Sequence, residues 1–205
     1  MHELLQRARS FQRQASFEGS AYRKLAEGQQ PQVLFISCSD SRIIPALIMG
    51  ARPGEVFELR NAGNIVAPHS KAGASGEAAT IEYALEVLKV QHVVVCGHSH
   101  CGAMGALKKA TDLSGLPAVG AWLDLARPAL ASVIPPAQNQ DEADPAMSDI
   151  VQLNVRHQLS VLCAYPSARR LLDEDRLQLH GWYYEVDTGQ VHELGDDGSF
   201  RVHAG

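Results

Sequence analysis

No apolar run in this chain approaches the roughly 20 residues that a membrane-spanning helix needs. There is no basic excess either. Against 18 Lys and Arg stand 23 Asp and Glu, and the net charge of -5 leaves no electrostatic footprint for nucleic acid. The opening stretch, Met1 to Phe17, has arginines but lacks the continuous apolar segment of a secretory signal. Internal repeats and low-complexity tracts are also missing. Cysteine is scarce: Cys38, Cys96, Cys101 and Cys163 are the four. A chain that is neither small nor signal-bearing gives no reason to read them as a disulfide framework. They read instead as reduced thiols in a cytosolic setting, two serving as ligands and two as core residues. What is present is an ordinary soluble composition, 45% hydrophobic and 20% charged. At 205 residues the expectation is one domain, 1–205, burying roughly 70% of its unfolded surface.

Two runs organise the chain. Val33-Leu34-Phe35-Ile36 has no polar side chain and reads as a fully buried strand, as does His92-Val93-Val94-Val95-Cys96. A third strand is expected at Val56-Phe57-Glu58-Leu59. A hairpin is expected from Trp182 to Leu194 around Asp187-Thr188-Gly189-Gln190. Leu4, Ala8, Phe11 and Ala15 lie on one stripe of an N-terminal helical arm over about 2–27. An arginine-bearing amphipathic start is also shared with organellar transit peptides, but here it runs into the domain without a linker.

Further helices are expected near 44–49, 73–88, 102–110, 119–130 and 145–164, with a shorter one after Pro166. The stretch from Pro135 to Pro145 reads as a polar, proline-bounded loop. Strands alternating with helices imply an α/β fold of Rossmann-like type. It should be an open, mainly parallel sheet of about four strands plus an antiparallel edge strand, flanked by helices.

Both buried strands run into chemistry-bearing residues. The first leads to Cys38-Ser39-Asp40-Ser41-Arg42, the second to Gly97-His98-Ser99-His100-Cys101-Gly102. If the first segment stays extended, Cys38, Asp40 and Arg42 point to one side. A thiolate ligand, a carboxylate and a guanidinium able to hold that carboxylate then converge at the carboxyl edge of the sheet. His98 and Cys101 supply two more ligands, and the 59 residues separating Cys38 from His98 fit no zinc-finger spacing. Three ligands with a fourth position open is the catalytic arrangement for zinc. The plain alternative from spacing alone is that Cys38 and Cys101 are buried core residues.

Together the two motifs resemble the paired signature of the β-class carbonic anhydrases, closest to the bacterial, cyanobacterial and plant-like branch. Arg60-Asn61-Ala62-Gly63-Asn64, Glu82-Tyr83-Ala84 and Leu179-His180-Gly181-Trp182 extend the similarity over nearly the whole chain. The resemblance implies one Zn2+ per chain held by Cys38, His98 and Cys101, with Asp40 and Arg42 as the catalytic dyad. It places Gln29 as a substrate hydrogen-bonding residue at the entrance. Phe57, Ala62 and Tyr83 would line an apolar pocket, partly from a neighbouring subunit, and the Gly102 amide would sit close to bicarbonate. For Phe57 and Tyr83 the alternative is plain core packing. His100 is a candidate for proton transfer, or a surface residue. Cys96 and Cys163 read as buried hydrophobes.

The implied activity is reversible hydration of carbon dioxide to bicarbonate and a proton through zinc-bound hydroxide, in a cytoplasmic enzyme. Zinc lowers the pKa of bound water from about 15.7 towards ~7, a value established for carbonic anhydrases with three histidine ligands. Two thiolates donate more charge, so the expected value here is somewhat higher. In some family members Asp40's counterpart closes onto the zinc at low pH, and a tryptophan three residues before the first cysteine belongs to a bicarbonate-sensing site. This chain has Phe35 there, with Arg60 and Tyr184 retained, so an open site is expected.

The resemblance also implies that the arm (1–27) packs on a partner subunit, giving a homodimer or homotetramer. The expected partners are carbon dioxide and bicarbonate, with neither nucleic acid nor membrane. Competing readings are a carbon disulfide or carbonyl sulfide hydrolase of the same family, and a zinc-bearing structural module without turnover. The intact Asp40–Arg42 pair speaks against the module, as does the lack of the long C-terminal extension of shell-associated relatives.

Overall fold

The two buried runs become neighbouring interior strands of a sheet. The computed structural model describes residues 1–17, 20–69, 75–131, 133–134 and 146–202. Strand β1 (Val33–Cys38) pairs in parallel with β2 (Val56–Asn61) on one side and β3 (His92–His98) on the other. Strand β4 (Gln178–Tyr184) continues the parallel set beyond β3, and β5 (Val191–Leu194) and β6 (Phe200–Val202) are added antiparallel. The order is β2-β1-β3-β4-β5-β6. The expected four parallel strands and antiparallel edge are present. The sixth strand lies beyond that expectation: Phe200–Val202 folds back on β5 through a turn in which Gly195 N–H donates to the Ser199 carbonyl over 2.9 Å.

Helices α1 (His2–Phe17) and α2 (Ser20–Leu25) form the arm, joined by an edge-to-face contact of Phe11 with Tyr22. Leu4, Leu5 and Phe11 are 62%, 50% and 51% exposed, so among the described residues much of the arm's apolar stripe is left uncovered. Next come α3 (Pro45–Ile48) and α4 (Gly76–Glu82), the latter passing into π-helical turns at Tyr83–Leu88. The Ser75 hydroxyl accepts the Ala78 N–H and so caps α4, satisfying one of its free donors.

Helices α5 (Gly102–Lys108), α6 (Pro117–Leu123), α7 (Arg127–Leu130), α8 (Met147–Cys163) and α9 (Pro166–Asp173) complete the set. The single helix expected over 119–130 is two, because Pro128 has no N–H to continue the ladder and sits at the start of α7. The expected polar loop at 135–145 lies outside the described residues. No helix among the described residues is long and apolar enough to cross a membrane.

The faces of β1 alternate. Leu34 and Ile36 join Val93, Val95, Leu162 and Tyr165 beneath α4, α8 and α9. On the other face Val33, Phe35, Val94 and Cys96 meet Trp182, with Phe35 against its indole edge to face. Helix α8 crosses β3 so closely that a Cβ on Gly97 would lie 2.5 Å from Val151 Cγ1 and 2.9 Å from Val155 Cγ2. Gly97→Ala is therefore expected to cost about 1–3 kcal/mol through overpacking, read from the denaturant midpoint.

The connections from β1 and from β3 leave in opposite directions, to β2 and to β4. The crevice between the carboxyl ends of β1 and β3 is thus the topological switch point, where α/β sheets bind their ligands.

Candidate metal centre

Cys38 closes β1, His98 closes β3, and Cys101 stands immediately before α5. Their ligand atoms lie within 4.8 Å of one another, and all three residues are buried. The backbone sets the histidine: Nδ1 lies 2.8 Å from the Ser99 carbonyl, an acceptor only, so Nδ1 carries the proton. Nε2 is then an unprotonated, buried nitrogen with no hydrogen-bond partner among the described residues. A buried acceptor left unpaired is costly unless something else takes its lone pair.

The sulfurs point the same way. The Cys38 thiol is held well below its usual range, chiefly by the Cys101 thiol donating to it, with the amides of Gly63 and Asp40 adding to this against burial. Cys101 is pushed far up by that same pairing, by burial and by the charge on Cys38. Two sulfurs this close cannot both ionise unless a cation lies between them. Two thiolates and one imidazole are a donor set that fits zinc, with room for a further ligand.

The extended continuation beyond Cys38 does not form. Asp40 to Ile43 is a tight turn, with Ile43 N–H donating to the Asp40 carbonyl over 3.0 Å. The dyad meets through that turn: Arg42 Nε donates to Asp40 Oδ1 at 2.9 Å and Nη2 to Oδ2 at 2.7 Å. The Arg42 amide adds a third bond to Oδ1 at 3.0 Å. This guanidinium above all holds the Asp40 carboxyl well below the usual carboxylate range. Arg42 Nη2 also reaches the His100 carbonyl at 3.2 Å, tying the two motifs together.

Ala62 and Gly102 lie beside the trio, and a Cβ on Gly102 would meet nothing within 4 Å, so the approach there is open. The His100 ring stands 2.7 Å from Asp187 in the turn after β4. Gln29, Phe57 and Tyr83 are not brought to this chain's own trio. Gln29 is exposed, in the segment before β1, at the amino edge of the sheet. Phe57 sits near the start of β2 with its ring 6.0 Å from that of Tyr83. Of the remaining cysteines, Cys96 is buried, and burial pushes its thiol up to about 12. Cys163 is exposed, contrary to expectation, because it falls beside the buried Val151, Val155 and Leu162 stripe of α8 rather than on it.

Arg60, noted in the sequence as retained alongside Phe35, donates to the Cys38 carbonyl at 3.2 and 3.1 Å and to the Asp40 carbonyl at 2.9 Å, holding the turn from behind. Other supports of the site were not singled out by pattern. Asn154 and Gln158, both fully buried on α8, grip the loop after β2. Their one signal was amide side chains inside an otherwise apolar helical stripe.

A family model described as carbonic anhydrase matches residues 33–191. A carbonic anhydrase of Pseudomonas aeruginosa is 41% identical over 203 residues, 98% of this chain and 90% of the relative. Carbonic anhydrase 1 of Escherichia coli O157:H7 is 40% identical over 192 residues, covering 93% and 86%. Among solved structures, the β-carbonic anhydrase CcaA superposes with a TM-score of 0.88 at 35% identity, covering 99% of each chain. A tetrameric β-carbonic anhydrase of Sordaria macrospora superposes at 0.82 and 32%, covering 95% of this chain and 96% of the other.

Proposed function

This chain belongs to the carbonic anhydrase family, in its β class, and from that premise we propose how its residues divide the work. The reaction is the zinc-dependent, reversible hydration of carbon dioxide to bicarbonate and a proton, a carbonate dehydratase activity. The observation that carries the reading is the unpaired, buried Nε2 of His98 facing two cysteine sulfurs. Cys38, His98 and Cys101 hold one zinc per chain. When bound, zinc supplies the Lewis acidity that brings the pKa of a coordinated water towards ~7, as established for carbonic anhydrases with three histidine ligands.

The chain's own groups do the rest. With Arg42 donating three bonds to it, the Asp40 carboxylate stays ionised and fixed in orientation. Its remaining lone pair accepts a hydrogen bond from the reacting oxygen and so turns that oxygen towards the carbon, without taking up the proton. Since both carboxylate oxygens are engaged by Arg42, Asp40 is not free to become a further ligand beside Cys38, His98 and Cys101. Ala62 supplies an apolar wall, and the Gly102 N–H faces the product oxygens. His100, tied to Asp187 at the surface, receives the released proton. Gln29, Phe57 and Tyr83 complete the entrance of a neighbouring subunit's site, which accounts for their distance from this chain's own trio.

That division requires a homo-oligomer, of which the tetrameric fungal relatives are examples. The uncovered stripe of the arm, Leu4 and Phe11, is the surface that would pack on the partner, giving a dimer or a pair of dimers. We assign residues 1–205 to one domain with 1–27 as that arm, and with reduced thiols we place the enzyme in the cytoplasm. Gel filtration at micromolar concentration is expected to give a dimer or tetramer, and a monomer alone would refute the shared entrance. Stopped-flow hydration of carbon dioxide, with metal analysis showing one zinc per chain, tests the activity. Turnover of carbon disulfide without carbon dioxide hydration would overturn it.

A further inference from the structure

One peptide unit near the trio is held from both ends. Its Ala62 carbonyl accepts a hydrogen bond from the indole Nε1–H of Trp122 at 2.9 Å. Its N–H, that of Gly63, donates to Cys38 Sγ at 3.4 Å. In a trans peptide the C=O and N–H point in opposite directions, so a donor that fixes one fixes the aim of the other. The next peptide is gripped too: Asn154 Nδ2 donates to the Gly63 carbonyl at 3.1 Å. Gln158 Nε2 holds Asn154 Oδ1 at 2.9 Å, while its own Oε1 takes the Val66 N–H at 2.9 Å.

Gly63 has φ +82°, where glycine is the unstrained choice. A Cβ on it would lie 3.0 Å from Ala103 Cβ and 3.0 Å from Met104 Cε. The amide therefore approaches the sulfur along a path that packing permits only to a residue without a side chain.

We propose that Trp122 is a positioning residue for the metal centre, acting through the Ala62–Gly63 peptide to set how much charge the Cys38 sulfur gives to the metal it holds. Two physical effects run in the same direction. The indole N–H polarises the carbonyl, which makes the N–H at the other end of the same amide a better donor. It also prevents that amide from rotating away from the sulfur. A thiolate that accepts a hydrogen bond donates less to its metal, and the metal stays more Lewis-acidic. Leu123 anchors α6 in the core cluster that includes Met104 and Ile150, and Trp122, one residue earlier and partly buried against the same cluster, gives its indole N–H to the loop.

The inference rests on the zinc reading of the Cys38, His98 and Cys101 trio, and cobalt substitution separates the two. Full-length protein carrying Co2+ in place of zinc is expected to show thiolate-to-cobalt charge-transfer absorption in the near ultraviolet. If the wild type shows none, the trio itself is not the metal site. The test of Trp122 compares two changes with wild type: Trp122→Phe, and the isosteric benzothienylalanine at position 122, which replaces the indole N–H by sulfur and keeps the ring shape. Loss of the N–H is expected to move the charge-transfer band to longer wavelength. It should also shift the pH midpoint of carbon dioxide hydration by the zinc form upward by about half a unit.

A merely structural tryptophan would lower stability or metal content without moving band and midpoint together. Should Trp122→Phe fail to fold, the isostere decides. Band and midpoint unchanged from wild type in a folded, metal-loaded isostere overturn the proposal.

Discussion

Cys38→Ala is expected to leave a folded protein without stoichiometric zinc, whose carbon dioxide hydration is reduced by more than about 10³-fold. The size reflects the ion's contribution, several kcal/mol of charge stabilisation at about 1.4 kcal/mol per factor of ten. Folding should survive because the side chain closes a strand whose other residues, Leu34, Phe35 and Ile36, are fully buried without any help from a metal. Circular dichroism checks that, and elemental analysis after gel filtration reads the metal. Cys101→Ser removes the second sulfur from the start of a different element and should give the same outcome. Full zinc retention with normal turnover in either variant would contradict the assignment of these sulfurs as ligands. The contrast is Cys96, also buried but at a strand position between Ser37 and Trp182, where exchange to alanine should leave the metal in place.

Why the trio could be read from sequence while its supports could not has a physical explanation. Buried parallel strands show themselves as runs such as Val33–Ile36 and Val93–Val95, and the residues just after such a run must stand at the carboxyl edge of the sheet. Cys38 and His98 were therefore placed by strand ends alone. Their spacing from Asp40, Arg42 and Cys101 set those three beside them, and the resemblance then gave each its role. The route by which Asp40 and Arg42 meet was not legible: an extended segment and the tight turn at Asp40–Ile43 both bring residues i and i+2 together, and periodicity cannot tell them apart.

The supporting groups are harder still. Trp122, Asn154 and Asp187 come from α6, α8 and the turn after β4, between 60 and 91 positions from the backbone or ring they hold. No local pattern reports a bond of that separation. Gln29, Phe57 and Tyr83 are a different case. They lie apart from this chain's own trio, and in the proposed arrangement they would serve a neighbouring subunit, for which one chain's pattern carries no geometry. The sixth strand was overlooked because three residues, Phe200–Val202, are too few for alternation to register.

The second large effect separates position from charge at Asp40. Asp40→Asn keeps the shape and removes the charged hydrogen-bond acceptor, and hydration is expected to drop roughly 10²-fold with zinc content unchanged, the scale of one lost preorganised hydrogen bond at the reacting oxygen. Arg42→Gln should come close to that loss for a different reason. Asp40 stays ionised at neutral pH in either background: with Arg42 its pKa is depressed, and without Arg42 it returns only to about 3.9. The Arg42→Gln deficit must therefore be flat between about pH 6 and 9, because it comes from a carboxylate that is charged but no longer held.

Stability carries the opposite pH signature. A carboxyl with a depressed folded pKa stabilises above its unfolded value and loses that contribution as pH falls through the folded one. The Arg42→Gln destabilisation is thus expected at neutral pH and should fade below about pH 4. The double variant provides the sharpest check. If the two side chains act as one unit, Asp40→Asn with Arg42→Gln is no slower than Asp40→Asn alone, because an arginine with no carboxylate to hold has nothing left to contribute. Losses that multiply, to about 10⁴-fold, would mean that Arg42 touches substrate directly rather than through Asp40.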